Sequence, residues 1–263
     1  MASPGTGGAG RPGWVAGLVQ AAFRLPWSYR DELFRLGLVP ALLSFAIETV
    51  GTLLGGDTLP IFLLVLLANL VPTTMFQVAV YRLLLLGPAA VTPGIKPSWG
   101  RRELRFLGLY LAIGLAVTMI GVVMLLLVDT SVPNGPIVLV VVGVALLASY
   151  AYSRVSVAFA AVAVDHPLRL SEAARCTQPV GGRLWLAMIL TMLPVVILLV
   201  IISKFLGVSG LASAAPLATS FILVVVSFAA TTILVVPIAL AFRELCGWSG
   251  PPAPAWNASG SGG

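Results

Sequence analysis

Charge is what this sequence lacks most. Asp, Glu, Lys and Arg make up 9% of its 263 residues, against about 25% in ordinary globular chains. A soluble core of this size has to be wrapped in charged and polar surface, so the deficit excludes a water-soluble domain. Acid is scarcer than base, with 9 Asp and Glu against 15 Lys and Arg. Apart from the adjacent Asp31 and Glu32, no two carboxylates lie near each other in a polar segment, so little prepares paired acid–base catalysis. The one histidine, His166, excludes a multi-histidine metal site. It lies in a charged connection beside Asp165, where a solvated side chain is expected. No glycine-rich phosphate loop or P-loop is present. The two cysteines, Cys176 and Cys246, fall on segments that the charge pattern places in the cytoplasm, where ordinary thiols are expected rather than a disulfide. These absences lead us to expect no enzyme, no catalytic residue, no cofactor and no metal.

Apolar surface is abundant. It accounts for 59% of residues, and the mean hydropathy is +1.06. The solvent for most of the chain is therefore lipid. A membrane-crossing helix needs about 20 apolar residues. Six runs qualify, at residues 34–54, 60–86, 104–128, 137–162, 184–206 and 217–242. The expected fold is all-α: a polytopic membrane bundle of six transmembrane helices in three hairpins, with juxtamembrane cytoplasmic helices. Residues 1–12 read as a disordered leader without the features of a secretory signal. Within residues 13–33, Trp14, Leu18, Val19, Ala22 and Phe23 recur at helical spacing beside Trp27 and Tyr29, predicting a helix lying on the membrane. The membrane domain covers residues 34–246, and residues 247–263 form a low-complexity tail. Pro40, Pro72, Pro194 and Pro237 lie inside four of the runs. At Pro72 a kink is expected rather than a break.

Basic residues set the orientation. All of the 15 Lys and Arg residues except Lys204 flank the first run, the link between the second and third, the link between the fourth and fifth, or the end of the sixth. That places both termini in the cytoplasm and the basic rim against the inner leaflet of the membrane. The sequence pI of about 9.9 then points to anionic lipid headgroups and not to nucleic acid. Arg101, Arg102, Arg105, Arg154, Arg169, Arg175 and Arg183 form the expected cytoplasmic basic face for headgroups or a partner. Residues 30–38 (RDELFRLGL) match residues 101–109 (RRELRFLGL) at six of nine positions, 71 residues apart, and the same offset carries Tyr81 onto Tyr152. A basic juxtamembrane helix would thus feed each of two hairpins. Glu48 is the acid well inside an apolar run, and Lys204 the base near the outer surface. Intramembrane charges tend to be paired or to face a cavity. Either a Glu48–Lys204 contact or a snorkelling Lys204 fits the sequence, and Asn69 and Gln77 are candidate cavity-lining residues.

Residues 152–185 carry the densest polar text. Ser171 is placed to cap a short helix, Glu172 sits near its positive end and Arg175 near its negative end, and Pro179, Gly181 and Gly182 stop it. Arg154, then Pro167, Leu170, Ser171, Glu172, Ala173 and Ala174, then Gly182, Arg183, Leu184 and Trp185, resemble a bacterial six-span family. That family includes stand-alone membrane proteins and the membrane domain joined to some glycerophosphodiester phosphodiesterases. The resemblance implies an arginine closing the fourth span, an interfacial helix after it and a basic–aromatic opening of the fifth. It implies a fold and a location, not hydrolysis, because the catalytic barrel is absent. The function expected is that of a non-enzymatic scaffold or accessory subunit of a membrane complex, touching membrane lipids and other membrane proteins. The alternative is a small transporter or lipid-handling protein with a polar intramembrane cavity.

Overall fold

The computed structural model describes residues 12–55, 58–91, 99–127, 134–208, 215–248 and 250. The expected 1–12 leader and 247–263 tail therefore lie almost wholly outside the described residues. What is described is helical, with no strand. The helices are α1 (Trp14–Ser28), α2 (Arg30–Leu53), α3 (Leu59–Leu86), α4 (Arg101–Leu127), α5 (Asn134–Val155), α6 (Val157–Ala163), α7 (Leu170–Cys176), α8 (Gly181–Val208) and α9 (Pro216–Leu245). Five stretches are long and apolar enough to cross a membrane: Arg30–Leu53, Leu59–Leu86, Leu139–Ala163, Gln178–Leu206 and Pro216–Leu245. The chain is thus built as a membrane-embedded helical protein.

Helices α2 and α3 run antiparallel. Gly37 faces the ring of Phe76 and Gly51 faces Val65, so two small residues on α2 let the helices approach closely. Helix α9 is the hub. It packs on α1, α2, α3, α6 and α8, and its run from Val235 to Phe242 is buried. The prolines at 40, 72, 194 and 237 all lie within continuous helices, so the chain is not broken at Pro72.

The break falls elsewhere. The apolar run at 137–162 is not one helix but two, α5 and α6, parted at Ser156. Ser153 Oγ donates to the Tyr150 carbonyl at 2.7 Å and Ser156 Oγ to the Ser153 carbonyl at 3.0 Å. Such back-bonding bends helices. The Arg154 carbonyl meanwhile accepts the Thr177 hydroxyl at 2.9 Å. Beyond the break, α6 (VAFAAVA) is buried against α3, α4 and α9. Its alanines allow that crowding, because a bulkier stripe would hold the neighbouring helices apart.

Helix α6 ends in a Schellman motif. The His166 amide donates to the Ala161 carbonyl at 2.9 Å and the Asp165 amide to the Val162 carbonyl at 3.2 Å. Asp165 takes the left-handed position, with φ of 56°, which Asp tolerates better than most side chains.

Helix α1 departs from the expected surface helix. Trp14, Leu18, Ala21 and Ala22 form a buried stripe packed on α8 and α9, and the Trp14 indole N–H donates to Glu244 Oε2 at 2.5 Å. Only the opposite face, with Phe23 and Trp27, is exposed. The helix ends at Ser28, and residues 30–33 belong to α2. The two matching sequence segments open helices in the same register, α2 at Arg30 and α4 at Arg101.

Candidate functional site

Hydrogen bonds between side chains gather at one end of the bundle. This is the end shared by the C-terminus of α3, the N-terminus of α4, the C-terminus of α5, α7 and the C-terminus of α9. Three junctions build it.

The first joins the two arginine-bearing connections. Arg102 donates to Asp165 Oδ2 through Nε at 2.9 Å and through Nη2 as well. Both side chains are partly exposed. The Arg102 guanidinium holds the Asp165 carboxyl below its usual range, assisted more weakly by Arg82 and Arg105. Arg82 itself donates to the Ala90 carbonyl at 3.2 Å, tying the turn after α3. Glu103 is buried and accepts the Gly100 amide at 2.8 Å. This fixes the start of α4 and so the aim of Arg102.

The second junction is centred on Arg154. Its Nη2 donates to the Ala174 carbonyl at 2.6 Å, its Nε to Thr177 Oγ1 at 3.2 Å and its Nη1 to the Tyr150 hydroxyl at 3.3 Å. Thr177 is buried and returns its own proton within the cluster, having Arg154, Ala173 and Ala174 carbonyls within reach. Trp185 Nε1 adds a bond to Ser149 Oγ at 2.9 Å. Arg154 is therefore a structural cation: it satisfies the free carbonyls at the end of α7 and locks that helix onto α5. The guanidinium fork suits this better than an ammonium would.

The third junction is covalent. Cys176, the last residue of α7, is bonded to Cys246, just past α9, with Cα atoms 5.6 Å apart. This corrects the expectation of two free thiols. The compartment argument concerns the redox chemistry of the medium and says nothing of distance, and the fold brings the two chain ends together. Closing a loop of 70 residues constrains the unfolded chain by about 4 kcal/mol in the chain-entropy account. Beside the bridge, His166 packs edge-on to Phe242 at 5.6 Å and to Trp248 at 5.7 Å. The solvated loop histidine expected from the sequence is thus a half-buried member of an aromatic trio. Its Nδ1 and the Trp248 Nε1 are both buried without a protein partner.

The structure uses the seven candidate arginines in two ways. Arg102 and Arg154 serve the junctions above. Arg101, Arg105, Arg169, Arg175 and Arg183 are exposed. Arg169 precedes α7, its amide donating to Glu172 Oε2 at 2.8 Å. The helix therefore begins at Leu170 with Glu172 as its third residue, and the expected Ser171 cap lies inside it. The Arg169 carbonyl already accepts the Ala173 amide at 2.9 Å, so Arg169 and not Ser171 holds the cap position.

Glu48 and Lys204 are not brought together. The ion pairs among the described residues are Arg30–Asp31 and Arg102–Asp165. Helix α9 packs on both α2 and α8, so it stands between the helices that carry the two charges. Glu48 is half-buried and Lys204 exposed, the latter arrangement being the one a snorkelling lysine adopts. Asn69 and Gln77 are half-buried on α3, and the Asn69 Oδ1 has no partner. The groove of about 290 Å³ between α2 and α3 lies near Glu48 but is lined by apolar groups such as Ile47, Val50, Leu54 and Leu64. Among the described residues, no three of His, Cys, Asp and Glu gather as a metal site would require.

Sequence reasoning missed Thr177 and Tyr150 as partners at this end. The signal available was the Ser149–Ser153–Ser156 spacing, which puts hydroxyls on adjoining turns beside Tyr150 and Arg154. Compared with protein-family models, curated proteins and solved structures, the chain gives no match.

Proposed function

We propose that the chain is a non-enzymatic scaffold or accessory subunit of a bacterial inner-membrane complex. In this reading six helices span the bilayer, α4 being the sixth beside the five apolar stretches. Both termini and the arginine-bearing end face the cytoplasm, and the three-hairpin plan follows the sequence repeat. The relationship to the membrane domain of glycerophosphodiester phosphodiesterases belongs to the same reading. The observation that carries it is how the polar residues are spent. Arg102, Asp165, Arg154 and Thr177 bond to one another and to backbone, which holds the fold. Arg101, Arg105, Arg169 and Arg175 are exposed at the same rim, where guanidinium groups suit anionic headgroups or a partner protein. Apolar side chains of α2, α3 and α8 face outward, a flank suited to lipid or another membrane protein.

A second reading, a lipid-handling protein, draws on the groove between α2 and α3. Its wholly apolar lining suits an acyl chain and not a polar solute. Extraction of the membrane patch in a polymer that keeps native lipid, followed by identification of what accompanies the chain, tests both. A membrane protein present at fixed stoichiometry supports the scaffold. A specifically enriched lipid with no protein partner supports lipid handling and contradicts the scaffold.

A further inference from the structure

We infer that Cys176 and Cys246 are a reversible clasp, opened and closed by exchange with a low-molecular-weight thiol and its disulfide, that sets whether α7 and the Trp248 segment are held to the end of α9. The inference rests on the proposed cytoplasmic placement of the arginine-bearing end, because only a reducing compartment makes opening a normal event.

Four observations meet at this point. The chain has two cysteines, and the structure bridges them. Both residues are half-buried, so neither is sealed inside the bundle. Helix α7 packs on α5 and α6, so the bridge is its principal tie to α9. The bridge also leads directly into Gly247, whose φ of 67° is a left-handed turn that favours glycine, and that turn lays Trp248 on His166 and Phe242. His166 itself lies four residues before α7 begins. The clasp therefore joins the two chain segments that supply the aromatic trio.

The chemistry balances without any group beyond the named exchange partner. In closing, one cysteine thiolate attacks a sulfur of the small disulfide, forming a mixed disulfide and releasing one small thiolate. The second cysteine then attacks the protein sulfur of the mixed disulfide and releases the second small thiolate. Both cysteines are oxidised by one electron each, the small disulfide is reduced to two thiols, and the two cysteine protons pass to the departing thiolates. Opening is the reverse. The Ala173 carbonyl lies 3.3 Å from Cys176 Sγ, an acceptor ready for the reduced thiol.

The test uses the full chain in lipid nanodiscs, equilibrated with mixtures of reduced and oxidised glutathione. The thiols are trapped by a maleimide that adds visible mass, and tryptophan fluorescence is recorded alongside. The expected result is a single reversible change from bridged to reduced across the mixtures. A parallel shift in emission should accompany it and should disappear in Trp248→Phe. A bridge that survives excess reduced glutathione in the folded protein overturns the clasp, and so does reduction with no change in the Trp248 signal. Reduced protein in sealed vesicles, probed with a membrane-impermeant maleimide, tests placement separately. Labelling from the cytoplasmic side supports the switch, whereas labelling from the outer side overturns the placement and the switching role with it. No cysteine variant is needed for the main result, so misfolding of Cys176→Ser or Cys246→Ser leaves the test intact.

Discussion

The two ends of the bundle are built on different principles. At the arginine-bearing end, Leu83, Phe106, Val157, Leu184 and Phe242 are wholly enclosed, and hydroxyls, carboxylates and guanidinium groups find defined partners. Toward the other end, Leu53, Leu64, Phe205 and Leu217 turn more than half their surface outward. The first end resembles the interior of a soluble protein and is fixed by its own packing. The second has no comparable interior among the described residues, so the bilayer must supply its packing. Structure is thus over-determined where charge and water meet the chain, and left to lipid where they do not.

That contrast can be broken by truncating one large residue at each end. Phe106, with no exposure, stacks near Tyr81 and Phe159. Phe106→Ala is expected to cost about 3–5 kcal/mol through the cavity it leaves, read as a large loss of thermal stability in detergent. Leu64→Ala, at the lipid-facing end, is expected to cost less than about 0.5 kcal/mol. Equal losses would show that both ends are packed alike.

Arg154 sharpens the comparison on the polar side. Removing its guanidinium takes the 2.6 Å donor from the Ala174 carbonyl and leaves the Thr177 hydroxyl with only the bond it donates, and hydrogen bonds from charged groups contribute about 1.5–3 kcal/mol. Arg154→Met should therefore lower stability by about that amount. It should also speed hydrogen exchange in α7 while leaving α2 unchanged. Adjacent glycines offer a finer cut. A Cβ on Gly181 would stand 2.6 Å from Arg154 Cδ, whereas one on Gly182 meets nothing within 4 Å. Gly181→Ala is expected to destabilise by about 1–3 kcal/mol through overpacking. Gly182→Ala should instead stabilise by roughly 0.5–1 kcal/mol through helix propensity, with opposite shifts in melting temperature as the readout.

A small effect is expected at Asp165. Asn keeps the left-handed backbone but removes the charge, so Asp165→Asn isolates the pair with Arg102. Both side chains are partly exposed, and such pairs are worth about 0–1 kcal/mol. Because Arg102 holds the Asp165 carboxyl below its ordinary range, the folded-state value is the depressed one. The contribution is present above the ordinary aspartate range and fades as pH falls through the depressed value. Stability measured across that acid range should lose this increment in the parent chain and not in the variant.

Much of this architecture was legible because the apolar runs are long and the charge is rare. Five of the expected runs coincide with helical stretches that qualify as spans to within a few residues. What the sequence hid depends on contacts between distant segments. The break at Ser156 lies inside a stretch long enough to read as one helix and becomes visible only when Thr177 is seen to bond the Arg154 carbonyl. The burial of Trp14 and Leu18 depends on α8 and α9 offering a face, and a stripe of that kind reads equally well as a membrane-surface helix. The Glu48–Lys204 contact failed because comparable depth does not make two helices neighbours, and α9 intervenes. The cysteine bridge spans 70 residues, too far for local pattern to report. At the site, the arginines were visible as a group. Which of them hold the fold and which face outward was not, because that division is set by Asp165, Ala174 and Thr177.

The most direct test of the central claim, that the arginine-bearing connections share one face of the membrane, is impermeant-maleimide labelling of single cysteines in a background lacking the native pair. Pro88→Cys, Gln178→Cys and Thr58→Cys all place the probe at exposed positions. The account predicts that Pro88→Cys and Gln178→Cys are labelled from the same side of sealed vesicles and Thr58→Cys from the other. Labelling of Pro88→Cys and Gln178→Cys from opposite sides would contradict it.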